Sequence, residues 1–256
     1  IMYSLDGGEF TIYTGTFTLP EGFHHIKFFG VDNVENQEGA HIFEFFVGAA
    51  PKTVIWSGLG GDGDWYNPGN WRNNAMPGVN DTAILATRDT VYVGANSPTL
   101  RIHNVILGDP EGLSAPVLLT STGVLSSGSW TLYKNASLIQ DTTQQIVVSS
   151  LTMHPGSVLS HTPNTNTEIR RYVVNLKALN DFTLLAGSSI TVDGLGYSGG
   201  INSGYGPGKG TTGDSYGSGG GHGGQGGNTI YSGGIGGSAY DFLTNPVDLG
   251  SGGGGG

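Results

Sequence analysis

An all-β chain is predicted by three observations. Short runs of β-branched and aromatic residues recur along the sequence, and clusters of Gly, Pro, Asn and Asp separate them. Glycine reaches 47 of 256 residues while charged residues fall to 12%, a balance typical of exported β-proteins and repetitive structural proteins. Composition divides the chain into three zones: aromatic, strand-like sequence over 1–50, β-runs alternating with turns over 51–193, and a glycine-rich stretch over 194–256.

Charge and composition exclude several function classes. A net charge of −10, with Arg170–Arg171 the one adjacent basic pair, gives no footprint for a phosphate backbone. There is no cysteine, so disulfides, thiolate metal sites and cysteine nucleophiles are excluded. No apolar run approaches the ~20 residues that span a bilayer, so membrane insertion is not expected of this segment. Ile1 at the start and Gly252 to Gly256 at the end, with no signal-peptide pattern, predict a piece of a longer extracellular or cell-surface chain.

In the first zone, Phe10–Tyr13 and Thr16–Leu19 read as strands around Thr14-Gly15, Asp6-Gly7-Gly8 as a hairpin turn, and His25–Val31 and His41–Val47 as further strands. The order Tyr3-Ser4-Leu5-Asp6-Gly7-Gly8, Tyr13-Thr14-Gly15, His25-Ile26-Lys27-Phe28 and Val31-Asp32-Asn33-Val34-Glu35-Asn36 resembles the C-terminal half of immunoglobulin-like or fibronectin-III-like repeats of bacterial surface proteins. The resemblance implies a partial Ig-like β-sandwich over 1–50 serving as a spacer.

The second zone opens with Trp56-Ser57-Gly58, Gly63-Asp64-Trp65, Asn67-Pro68-Gly69-Asn70-Trp71 and Pro77-Gly78-Val79-Asn80-Asp81. This series is similar to the segment that opens β-helix regions in autotransporter-like adhesins. A repeat follows. Trp130-Thr131-Leu132 with Ala136-Ser137-Leu138-Ile139, Leu151-Thr152-Met153 with Gly156-Ser157-Val158-Leu159, and Phe182-Thr183-Leu184 with Gly187-Ser188-Ser189-Ile190 share one pattern. Their spacing fits stacked β-solenoid rungs, each covering the apolar edge of the last. An ordinary β-sandwich with similar hairpins is the competing reading.

In the third zone, Gly220 to Asn228 holds three Gly-Gly-X copies and Gly233 to Ser238 two more. A strict period of three predicts packed polyglycine II helices, with His222, Gln225 and Asn228 on the third face toward solvent; a flexible linker is the alternative. Ile190 to Tyr197, Gly206-Pro207-Gly208, Gly219 to Gly227 and Asn245-Pro246-Val247-Asp248-Leu249-Gly250 resemble a recurring bacterial glycine-rich module, and more generally the glycine-rich domain of anaplastic lymphoma kinase-type receptors.

Site chemistry is sparse. Asp62, Asp64 and Asn67 place oxygen ligands in a Gly-rich loop, making Ca²⁺ the one candidate cofactor; the spacing lacks the later Gly and bidentate Glu of an EF-hand, and an Asx-rich turn that positions Trp65 and Trp71 is the favoured reading. Trp65, Tyr66 and Trp71 are candidates for stacking surface glycans, against a role in capping an apolar end. Asp32, Glu35, Asn36 and Glu38 read as a solvated acidic turn. No nucleophile elbow, phosphate loop or metalloprotease motif occurs, and Lys177, Asp181, Asp193 and Arg170–Arg171 are the loose catalytic candidates. The expected function is a structural or adhesive segment, meeting copies of itself or adjacent repeats in a filament or sheath. A carbohydrate-binding module and a β-helix polysaccharide-degrading enzyme are the alternatives.

Overall fold

The computed structural model describes residues 1–255 apart from 49, 50, 95, 96, 214, 215, 231, 232, 243, 245 and 246. The Asn245-Pro246 step of the glycine-module motif therefore lies outside the described residues.

Four antiparallel strands form the first sheet: β1 (Met2–Leu5), β2 (Thr11–Ile12), β3 (Gly22–Phe29) and β4 (His41–Val47), in the order β2-β1-β3-β4. Asp6 and Gly7 take positive φ, 52° and 78°, and the Gly8 amide donates to Leu5 O at 2.9 Å, closing the turn the sequence marks. Thr16–Leu19, expected as a strand, is not one. Phe17 instead stacks on Tyr3 at 5.1 Å, so the segment is held by its ring rather than by a backbone ladder. Among its described side chains, no hydrophobic residue of this sheet belongs to the buried core, and Ile42 and Phe43 are exposed.

The second zone is a β-solenoid. Its strands are β5 (Thr53–Ile55), β6 (Thr82–Leu85), β7 (Thr90–Val93), β8 (Leu100–Ile102), β9 (Asn104–Leu107), β10 (Val117–Thr120), β11 (Val124–Ser126) and β12 (Ser129–Leu132). They continue as β13 (Ser137–Gln140), β14 (Ile146–Val148), β15 (Ser150–Met153), β16 (Val158–His161), β17 (Leu176–Ala178), β18 (Phe182–Leu184) and β19 (Ser189–Ile190). Three parallel sheets result, ordered β5-β6-β9-β12-β15-β18, β7-β10-β13-β16-β19 and β8-β11-β14-β17. Strand alternation turns every second residue inward. Val105, Trp130 and Leu151 stack in one inward column, Val91, Leu118, Leu138 and Leu159 in another, and each is 0–1% exposed. Burying each such side chain contributes about 1.5–3 kcal/mol, so the stack of columns carries the domain's stability.

The repeat read from the sequence is the structural register, with one correction. Trp130 pairs with Leu151 and Leu151 with Phe182, as the spacing requires. Beyond the turn, however, Ser137 lies on Val158, one residue away from the alignment of Ser137 with Ser157. The turn sets this register. Asn135, Gly156 and Gly187 all have positive φ, so these residues stack, and Ala136 does not lie on Gly156.

In the glycine-rich stretch β20 (Thr212–Gly213) pairs antiparallel with β21 (Tyr216–Gly217), and the other described residues run largely as extended segments outside any regular sheet. These segments bond to one another laterally. Gly219 N donates to Gly227 O at 2.9 Å and Gly221 N to Gly208 O at 2.7 Å; Gly237 N donates to Gly219 O and Gly254 N to Ser218 O, both at 3.0 Å. Residues 218–221 are thus bonded to four other stretches of chain. The three Gly-Gly-X copies do not form one straight run: the backbone bends at 222–224 and folds back so that Gly219 meets Gly227. His222 is consequently only partly exposed, while Gln225 and Asn228 stand exposed as expected. The His222 Nε2 lies 3.4 Å from Asp241 Oδ2, and its ring meets Tyr240 edge-on at 5.1 Å.

Candidate functional site

The chemistry-bearing residues of the sequence converge on the cap over the first solenoid coil. Trp56 continues from β5 and bridges to Trp71, while Asn67 caps a single 3₁₀ turn over Pro68–Asn70, accepting from Gly69 N at 2.9 Å. Trp56, Trp65 and Trp71 are each 1% exposed and meet edge to face, with ring centroids 5.1 and 4.8 Å apart. Two of the indole N–H groups are used internally: Trp56 Nε1 donates to Asp89 Oδ2 at 2.9 Å and Trp71 Nε1 to Trp65 O at 2.7 Å. The stacking candidates Trp65 and Trp71 therefore have no indole face open to a sugar ring; they plug the end of the apolar core. Tyr66 is half-buried beside them.

The three oxygen-bearing candidates lie in one loop, and N–H donors occupy both oxygens of Asp62 and one each of Asp64 and Asn67. Asp62 Oδ1 accepts from Asn70 Nδ2 at 2.6 Å and Asp64 N at 3.0 Å, and Asp62 Oδ2 accepts from Asn67 Nδ2 at 2.8 Å. Asn70, then Asn67, then the Asp64 amide hold the Asp62 carboxyl below the usual carboxylate range. Asp64 Oδ1 accepts from Tyr66 N at 3.0 Å. Asn67 thus points its amide N–H, not its oxygen, at Asp62. Among the described residues, no three His, Asp or Glu side chains are grouped closely enough to hold a metal ion. Asp81, the aspartate that closes the cap motif, also binds backbone: it accepts from Gly78 N at 2.7 Å and Lys52 N at 3.0 Å, pinning the entry to β5.

Two residues that the sequence did not single out complete this region. Asp89 receives the Trp56 indole, and Tyr92 stands outward on β7 between the inward Val91 and Val93, 45% exposed. With Gly61, Asp62, Gly63 and Thr90 they line a shallow cleft of about 390 Å³. Gly63 is required there, because a β-carbon would lie 2.6 Å from Thr90 O and 3.0 Å from the Tyr92 ring. Two carboxylates beside an exposed phenol ring can hydrogen-bond and stack a polyol.

The remaining candidates stay apart. Lys177 faces outward on β17, Asp181 precedes β18, and Asp193 follows β19. Arg170 donates to Val247 O. Asp32 closes its own turn, accepting from Val34 N, Asn36 N and Asn36 Nδ2 at 2.8–2.9 Å. A second polar cluster joins the glycine-rich stretch: Tyr197 Oη donates to Asp248 Oδ1 at 3.2 Å, and burial, with the Asp248 charge, pushes the phenol up to about 12. No family model matches this chain, and neither do the curated proteins or the solved structures.

Proposed function

We propose that this chain is a structural segment of an extracellular or cell-surface protein, a stiff scaffold that displays or spaces other parts of its assembly. The observation that carries this reading is the continuity of the support. Each solenoid coil closes the core of its neighbour, and the glycine-rich stretch is fastened to the coils by the Asn164–Tyr197 bridge, the Asn166 amide on Ser198 Oγ at 2.9 Å and the Lys209–Glu168 ion pair at 2.6 Å. Rods built this way resist bending because backbone ladders run unbroken from coil to coil. The glycine-rich segments fit the same reading as short three-fold extended helices, their bare faces allowing lateral N–H to O=C bonds. Immunogold labelling of source cells with antibodies to residues 51–193 tests the proposal. Gold along the cell exterior is expected; gold confined to the cytoplasm would overturn it.

The cleft beside Tyr92 favours a second reading, a carbohydrate-binding module. Its test is a glycan array with the wild type and Tyr92→Ala. A signal lost in the variant supports the reading, and no signal from the wild type removes it.

A further inference from the structure

The two ends of the solenoid are finished differently. At the first coil, the three tryptophans cover the core, and the 63–65 segment pairs with β7 through Tyr92 N to Gly63 O at 2.8 Å and Trp65 N to Tyr92 O at 3.0 Å. At the last coil nothing comparable occurs among the described residues. β17, β18 and β19 are each the final strand of their sheet, so three strand edges end together. The inward columns end there as well. Leu151 is 0% exposed, yet Phe182, stacked on it, is 42% exposed; Met153 at 0% is followed by Leu184 at 47%, and Leu159 at 1% by Ile190 at 44%. Leu179, Leu185 and Val192 beside them are 57, 37 and 46% exposed. Phe182, Leu184 and Ile190, at positions that face the core in the preceding coil, and the three apolar residues beside them thus form an uncovered apolar end, rimmed by strand edges with no further strand beyond them.

We propose that this end is an interface, and that a second copy of the same chain covers it end to end. Three features favour a copy. With about 150–200 Å² per fully exposed large side chain, the six residues present roughly 450 Å² of apolar surface. Two such ends, with their backbone rims, reach the roughly 1,000 Å² that a specific interface needs. The core-facing positions of the patch carry no charge, while the rim carries both signs, Lys177 with Asp181 and Asp193, so a two-fold arrangement can oppose lysine to aspartate. Strand edges join to strand edges through backbone bonds that any copy supplies. The interface deepens the scaffold reading and would extend the rod, but its failure is distinguishable: a strictly monomeric chain removes the interface and leaves exterior labelling of the native protein unaffected.

Sedimentation equilibrium of the 256-residue chain from low to high micromolar concentration tests the proposal. The expected result is reversible association to twice the chain mass, weakened at least tenfold by Leu184→Lys or Ile190→Lys and unaffected by Phe43→Lys in the first sheet. Hydrogen exchange of the wild type gives a readout independent of the variants' folding, with amides of β17, β18 and β19 slowing as concentration rises. A monomer at every concentration overturns the proposal, as does association abolished by Phe43→Lys but not by the two solenoid-end variants.

Discussion

Asn135 lies directly on Gly156: its amide donates to Gly156 O at 3.2 Å, and both residues hold positive φ, 66° and 82°. Gly156 N in turn donates to Gly187 O at 2.7 Å, and the Asn135 side chain reaches Gly112 O at 3.0 Å. Left-handed backbone at equivalent places in successive coils keeps the strands after the turn in register. Asn and Gly tolerate that conformation, whereas other residues incur about 1–2 kcal/mol. Gly156→Ala is therefore expected to lower stability by about 1–2 kcal/mol, and Asn135→Gly to change it by about a few tenths. Urea unfolding followed by tryptophan fluorescence measures both.

The glycine-rich stretch makes a sharper steric prediction. A β-carbon on Gly237 would overlap Gly208 O, and one on Gly252 would overlap Ser198 O, whereas one on Gly224 meets nothing within 4 Å. Gly237→Ala and Gly252→Ala should each cost about 1–3 kcal/mol or more through forced separation of backbones. Gly224→Ala should stay within about 0.5 kcal/mol. Thermal melts of the three variants read the contrast; equal tolerance at all three positions would contradict lateral packing.

Acid should act late on one loop. Asp109 is held down to about 2, first by the Ser114 hydroxyl and then by the Leu113 amide, with the Ser114 and Gly112 amides also contributing. A depressed carboxylate stabilises the fold above its unfolded value of 3.8, and that contribution is lost as pH falls from there through about 2. Carboxyl-carbon NMR should find Asp109 still ionised at about pH 3, between those two values, and Ser114→Ala should raise its titration midpoint.

His24 behaves oppositely. Burial lowers its pKa, but the Asp6 hydrogen bond at 2.7 Å, the Pro20 carbonyl at 2.9 Å and the Asp6 charge outweigh this and leave it raised above 6.5. Its contribution is complete below 6.5 and is lost as pH rises through the higher folded value. Asp6→Asn should bring the imidazole titration, followed by proton NMR, to lower pH.

Periodic features are readable in the sequence; features set by tertiary contacts are not. The pairing of Trp130 with Leu151 and Phe182 follows from alternation and spacing alone, because each rung repeats the same inward pattern. The one-residue slip at Ser137 depends on which residue of the turn goes left-handed, and Asn135 is hidden there because it is not glycine. The Gly-Gly-X period predicts solvent-facing side chains, and Gln225 and Asn228 are exposed; the bend at 222–224 and the distant Asp241 leave His222 only partly so. At the cap, the tryptophan spacing marks the place, but nothing local to Asp89 or Tyr92 signals that they meet Asp62 in one cleft.

Solenoid and glycine-rich stretch form one packed support rather than a rod with a loose tail, and amide hydrogen exchange over residues 204–237 and 250–255 tests this most directly. Slow exchange is expected at Gly219, Gly221, Gly237 and Gly254, whose N–H groups bond across the module, and fast exchange at exposed Gly223. Uniform exchange at unstructured rates throughout these glycines would contradict it.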